Sequence, residues 1–261
     1  MEKGKEMRSS RHPGRVEAKP STSPSPGLRK VVVFGHPHCG TTILRSVIGH
    51  CERTFDCPQE KTFFRGYRLK RDEDFFVYKL PYMIDPKQYR DCHKIMILRN
   101  PLHVFSSLNK RFNFDIPRLH QVPDYLGALD FFDSIEQGKD NLYRITYEDM
   151  FINGHKKIKE ILDAIGMKYT QEIFNTSSYK SRIIGGRHGE ALQQSKKRNV
   201  QINKPFLNMN DSSKLIITDH QQKLFVENQS KIERHFNLSW AELRKVWVHS
   251  SQLCEGPDTF R

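Results

Sequence analysis

Between Lys30 and Cys51 the chain reads KVVVFGHPHCGTTILRSVIGHC, and this stretch limits the possible folds more than any other. The unbroken apolar run from Val31 to Phe34 fits a short strand covered on both faces, as in a parallel sheet. Gly35 and Gly40 bound a tight loop, and from Thr41 to Cys51 the apolar residues Ile43, Leu44, Val47 and Ile48 recur at helical spacing. Strand, glycine-bounded loop and helix together make a phosphate-holding unit. Backbone N–H groups of such a loop and the positive end of the helix attract an anion.

The same alternation continues down the chain. Asp74–Lys79 (DFFVYK) and Lys94–Arg99 (KIMILR) are further apolar runs of strand length. The second leads into Asn100-Pro101, where Asn can cap a helix and Pro can occupy its first turn, so a helix is expected through about Arg111. Leu142–Tyr147 alternates like a strand, and His155–Ile165 carries Ile158, Ile161, Leu162 and Ile165 on one helical face. Ser212–Phe236 reads as one long or two shorter helices. Strands alternating with helices predict a three-layer, P-loop-type α/β fold with a central, mainly parallel sheet flanked by helices. Its ligand belongs beyond the carboxyl ends of the strands. The domain is expected over residues 29–250, after a disordered basic leader (1–28) and before a C-terminal tail (251–261).

Charge narrows the ligand. The 261 residues hold 43 Lys and Arg against 30 Asp and Glu, a net +13. Residues 1–30 account for eight of the basic and three of the acidic side chains, so most of the excess lies on the folded part and favours anionic ligands. With 36% hydrophobic and 28% charged residues the chain can bury a core under a strongly polar surface, which excludes wholesale disorder. No run approaches the ~20 apolar residues that span a bilayer, and five irregularly spaced cysteines suit a reducing compartment. The expectation is a soluble, cytoplasmic protein, or a Golgi-lumenal one if targeting lies outside this chain. The histidines show no metal-ligand spacing, and no metal and no specific nucleic acid are expected.

The loop Gly35-His-Pro-His-Cys-Gly40-Thr41-Thr42 has the glycine spacing of a P-loop but carries Thr41 where a Walker A motif has its lysine. Without that cation the γ-phosphate grip of ATP-hydrolysing enzymes and kinases is missing, while a 5′-phosphate can still be held. At this point the chain resembles the sulfotransferase superfamily, whose 5′-phosphosulfate loop is similar to His38-Cys39-Gly40-Thr41-Thr42. The family's 3′-phosphate site is an Arg at a strand end and a Ser eight residues later on the next helix, and Arg99-Asn100-Pro101…Ser107 resembles it in type and spacing. A guanidinium fork, a hydroxyl and a helix N-terminus suit a phosphate dianion.

Two further segments look most like heparan-type and related sulfotransferases. Gln59-Glu60-Lys61-Thr62-Phe63-Phe64 resembles the segment with the general base, which implies that role for Glu60. Tyr78-Lys79-Leu80-Pro81-Tyr82 resembles the segment whose lysine faces the reacting groups, which implies Lys79. Tyr147-Glu148-Asp149 fits the family's usual end of the next strand. The resemblance covers about residues 30–150. It implies 3′-phosphoadenosine 5′-phosphosulfate (PAPS) as donor, its product 3′,5′-ADP (PAP), and a hydroxyl or amine acceptor on an anionic glycan or a small molecule. Basic segments at Arg182–Arg187 and Ser195–Arg198 are both open as adenine and 3′-phosphate contacts, with Arg198 carried as the candidate.

The chain departs from the family at His38, where Lys or Arg is usual. A histidine serves there protonated, with activity falling above pH ~6.5, or as a neutral N–H donor. Two rival readings stay open. His38-Cys39-(x5)-Arg45-Ser46 formally matches a cysteine phosphatase, although Arg45 is expected on the helix surface. A degenerate relative that binds nucleotide or an acidic polymer without transfer is the other.

Overall fold

The computed structural model describes residues 27–57, 72–150, 153–175 and 215–236. Five strands form one sheet in the order β2-β3-β1-β4-β5, every neighbouring pair parallel. They are β1 (Arg29–Phe34), β2 (Thr54–Asp56), β3 (Phe75–Leu80), β4 (Cys92–Leu98) and β5 (Leu142–Thr146). The described helices are α1 (Thr41–Gly49), α2 (Pro101–Phe112), α3 (Val122–Ser134), α4 (Lys156–Ile165), α5 (Asp219–Glu227) and α6 (Gln229–Glu233).

The period-two alternation of the strands splits the core into two layers. Val31, Val33, Phe75, Val77, Ile95 and Ile97 pack against α1 and α4. Val32, Phe34, Phe76, Tyr78, Met96 and Leu98 pack against α2, α3, α5 and α6. The three-layer α/β architecture expected from the sequence is therefore present, and the strands fall within a residue or two of their predicted bounds.

Two elements go beyond the sequence reading. β2 is a three-residue edge strand, too short for any periodicity. Helix α3 does carry a signal: Val122, Tyr125, Leu129 and Phe132 lie on one buried face, and Gln121 and Asp124 form a capping box. Helix α1 ends at Gly49, with His50 as its C-cap, short of Cys51. Of the region expected at 212–236, the described part, 215–236, holds two short helices separated at Asn228.

The strand order places a switch point at β1, which has β3 on one side and β4 on the other. Chain leaving β1 and chain leaving β4 thus open a crevice at the carboxyl end of the sheet. Gly35 permits the tight exit from β1, because a Cβ there would lie 2.1 Å from the Ile97 carbonyl oxygen of β4.

Candidate functional site

The loop between β1 and α1 is held by few bonds of its own, among them Cys39 N–H donating to the His36 carbonyl at 3.2 Å. Gly40 is the N-cap of α1, with φ 97° and no side chain to cap the helix. A Cβ at position 40 would sit 2.4 Å from the Tyr147 ring, so both backbone angle and space require glycine there. No acidic residue stands in the first turn of α1. Its N–H groups therefore have no side-chain cap, which is how a helix end is left for an anion. Thr41 is buried at this end and Thr42 is partly exposed.

The second motif arrives from the neighbouring strand. Asn100 caps α2 by accepting the Leu102 N–H at 3.0 Å, and Pro101 occupies the first turn. Helix α2 is fixed in rotation by its far side: Ser106 Oγ accepts the Ile216 N–H at 2.9 Å, and Asn109 bonds the Ile216 carbonyl at 2.7 Å and Gln221 at 2.8 Å. That leaves Ser107 turned toward the loop, where its Oγ lies 2.7 Å from His38 Nδ1. Two motifs 69 residues apart thus meet at hydrogen-bond distance.

Arg99 closes the crevice. Its guanidinium carbon lies 4.3 Å from the centre of the Tyr147 ring, and the same ring abuts Gly40. Tyr125, buried in α3, donates its hydroxyl to the Arg99 carbonyl at 2.7 Å and steadies the turn. Several buried polar atoms in this neighbourhood have no hydrogen-bond partner: His36 Nε2, Arg99 Nε, His120 Nδ1 and Glu148 Oε2. Buried polar groups are ordinarily paired, so this gathering suits a polar ligand.

Electrostatics fix the state of the loop histidines. Burial, followed by Arg111, His120, His36 and Arg99, lowers the pKa of His38 to about 4. His38 is therefore neutral near pH 7, which is the state that the second of its two expected roles, the N–H donor, requires. Burial likewise lowers His36 to about 4. Its Nδ1 lies 3.1 Å from the Pro37 carbonyl, which can only accept, so that nitrogen carries the proton.

Of the sequence candidates, His38, Cys39, Gly40, Thr41, Thr42, Arg99 and Ser107 gather at this crevice. Lys79 lies at the end of β3, buried, and the alternation of Phe75 and Val77 places it on the α1 face. Glu60, Arg198, Arg182–Arg187, most of the 1–28 leader and the 251–261 tail lie outside the described residues.

The phosphatase alternative requires correction. Arg45 is not on the helix surface: it is 1% exposed, pairs through Nε with Asp56 at 2.8 Å and donates to the Cys57 carbonyl at 2.7 Å. Asp56 ends edge strand β2, and Cys57 is the residue after it. Cys39 is fully buried, and burial pushes its thiol pKa up, away from the thiolate that such chemistry needs. The guanidinium and the nucleophile of that mechanism are thus both disabled.

Sequence reasoning passed over Tyr125, His36 and the carboxyl of Glu148. Glu148 had a signal, an acid directly after a strand end in a parallel sheet. Tyr125 lay in the helix that went unread. Among the described residues, no group of three or more His, Cys, Asp or Glu could hold a metal ion, and no helix is long and apolar enough to cross a membrane.

No protein-family model matches the chain, and no curated protein does. Solved structures are similar to it. Mouse sulfotransferase SULT7A1 complexed with PAP shares 18% identity over 84% of this chain and 89% of that one, with a TM-score of 0.45. The sulfotransferase domain of the Synechococcus PCC 7002 olefin synthase shares 13% over 73% and 94%, also at 0.45. The sulfotransferase domain from the curacin biosynthetic pathway shares 13% over 77% and 98%, at 0.44.

Proposed function

We propose that this protein is a PAPS-dependent sulfotransferase acting on a hydroxyl or amine acceptor. The observation that carries the reading is the 2.7 Å approach of His38 Nδ1 to Ser107 Oγ, which joins the 5′-phosphate loop to the helix expected to hold a 3′-phosphate. The residues fit a nucleotide with both phosphates. The uncapped start of α1 suits the 5′ group, and Arg99, whose buried Nε lacks a partner, suits the 3′ group together with Ser107.

When bound, the donor supplies a sulfuryl group: its S–O bond to the 5′-phosphate breaks as the acceptor atom bonds to sulfur. Glu60 takes the proton that the acceptor loses. His38, neutral, acts as a donor: with the Ser107 hydroxyl donating to Nδ1, the ring proton stays on Nε2 and is offered to the phosphate oxygen that gains charge. Lys79 and the Gly40–Thr42 amides and hydroxyls stabilise the remaining charge, and no metal enters these steps. The basic surface favours an anionic acceptor such as an acidic glycan, with small alcohols and amines as the alternative. Arg198 is assigned to the nucleotide on its chemistry alone.

Titration calorimetry with PAP and with ADP tests the assignment. Binding of PAP at least tenfold tighter than ADP is expected, and equal binding removes the 3′ site. Transfer of radiolabelled sulfate across an acceptor panel then tests turnover, with Glu60→Gln expected to reduce it by about 100-fold or more. The neutral state of His38 favours one second reading, a nucleotide-binding protein without transfer. Tight PAP binding with no labelled product from any acceptor class would support it.

A further inference from the structure

Glu148 follows β5 and points its carboxyl group back under the turn that joins β4 to α2. Oε1 accepts the Asn100 N–H at 3.1 Å, and Asn100 is the residue between Arg99 and the first turn of α2. Oε2 is buried and without a partner, as is Arg99 Nε. One neutral acceptor would satisfy the Asn100 N–H, so the backbone bond alone does not call for a carboxyl group. The groups around it are few. Arg99 and the Asn100 N–H face it from the β4 end, and its own N–H and Asp149 from its own turn. Cys39 of the loop, Tyr125 of α3 and the neighbouring Tyr147 also lie within its electrostatic reach.

We propose that Glu148 is a positioning residue for the phosphate site at Arg99, holding the Arg99–Asn100 turn through one carboxyl oxygen and taking up a proton when a phosphate settles on Arg99. The proposal rests on the donor reading above and adds to it a proton that accompanies binding. Its physical basis is the balance of charge around a buried carboxyl group whose Oε1 is tied to the Asn100 N–H and whose Oε2 has no partner. In the unliganded protein burial raises the Glu148 pKa to about 7, while the Asn100 N–H, its own N–H and Arg99 oppose that rise. A phosphate on Arg99 engages that guanidinium and adds negative charge nearby, so the carboxyl group becomes harder to ionise. Asp149 pushes in the same direction. Cys39, Tyr125 and Tyr147 are all pushed toward higher pKa by burial and stay neutral throughout.

The sign follows directly. If the complex holds more protons than the free protein, affinity falls as pH rises through the interval above 7, by at most tenfold per pH unit for a single proton. The phosphate's own second ionisation, near pH 6, works the opposite way and is nearly complete by then.

The test is titration of the whole chain with PAP between pH 6.5 and 8.5, in buffers of different ionisation enthalpy. Wild type should weaken by about fivefold to tenfold over that span and take up a fraction of a proton at pH 7.5. Glu148→Gln keeps an acceptor for Asn100 N–H, and its affinity should change less than twofold with no proton uptake. ADP, lacking the 3′-phosphate, should show no such pH dependence with wild type. Wild-type binding of PAP without proton uptake overturns the role of Glu148 and leaves the donor reading intact, and that measurement needs no variant to fold. The same uptake in Glu148→Gln, or with ADP, assigns the proton elsewhere and also overturns it. No PAP binding at any pH overturns the donor reading and this proposal together.

Discussion

Two arginines in this domain sit on opposite sides of β1, and they are used differently. Arg45, on α1, is enclosed by the edge of the sheet, ion-paired to Asp56 and donating to the Cys57 carbonyl. Arg99, at the end of β4, is half-buried, rests on the Tyr147 ring and leaves Nε without a partner. The first guanidinium is committed to holding α1 against β2. The second is held in place by its ring, and by Tyr125 on its carbonyl, with its Nε left open. A buried cation ion-paired to a carboxylate serves the fold, whereas one with steadied geometry and no carboxylate paired to it among the described residues suits a ligand.

The largest expected effect separates the two. Arg45→Met strands Asp56 without its cation and should cost about 3–5 kcal/mol of stability, a fall in melting temperature on the order of 10 °C. The double change Arg45→Met with Asp56→Leu should recover most of that loss, since an apolar pair of similar volume replaces a buried ion pair at little cost. Arg99→Met should leave the melting temperature within about 2 °C and weaken PAP binding by about 100-fold. Thermal melts and calorimetry on the same preparations check both, and a melting loss at Arg99 equal to that at Arg45 would erase the distinction.

How far the sequence showed this contrast depends on where each partner lies. The loop between β1 and α1 was legible because its signals are local: an apolar run, two glycines and a helical repeat within one short stretch. Arg99 and Ser107 were legible because Asn100-Pro101 fixes the helix start, and the helix then sets which way Ser107 points. Arg45 was misread, since its position on α1 says nothing of Asp56, whose strand is three residues long and recognisable only by its pairing with β3. The neutrality of His38 was equally hidden, because it arises from burial first and then from Arg111 on α2, with His120, His36 and Arg99 adding to it. Glu60 and Arg198 rest on sequence alone.

An intermediate effect concerns acid. His36 is 1% exposed, with a folded-state pKa near 4 against about 6.5 in an unfolded chain. Below pH 6.5 the unfolded chain binds the proton first, so this contribution is intact above 6.5 and is lost as pH falls toward 4. Its size is about 2–3 kcal/mol. Melting temperature should therefore drop between pH 6.5 and 4.5. His36→Phe, an aromatic replacement beside Phe105 and Tyr125, should make that drop shallower without abolishing it, because His38 titrates in the same window. An unchanged acid slope in His36→Phe would mean that the ring is not held neutral by burial.

The smallest effect falls on two adjacent serines and repeats the contrast at closer range. Ser106 accepts the Ile216 N–H and binds α2 to the segment before α5, whereas Ser107, one residue on and about 100° around the helix, faces His38. Ser106→Ala leaves a backbone N–H without its acceptor and should cost about 1–2 kcal/mol of stability with PAP affinity little changed at a temperature where the fold is intact. Ser107→Ala should do the reverse: a stable protein, PAP binding weakened about fivefold to tenfold, and ADP binding unaffected. Loss of the hydroxyl also frees His38 to carry its proton on either ring nitrogen, so turnover should fall further than affinity does. If ADP and PAP lose affinity equally in Ser107→Ala, the hydroxyl serves the loop through His38 rather than the second phosphate, and Arg99 alone must then account for the preference between the two nucleotides.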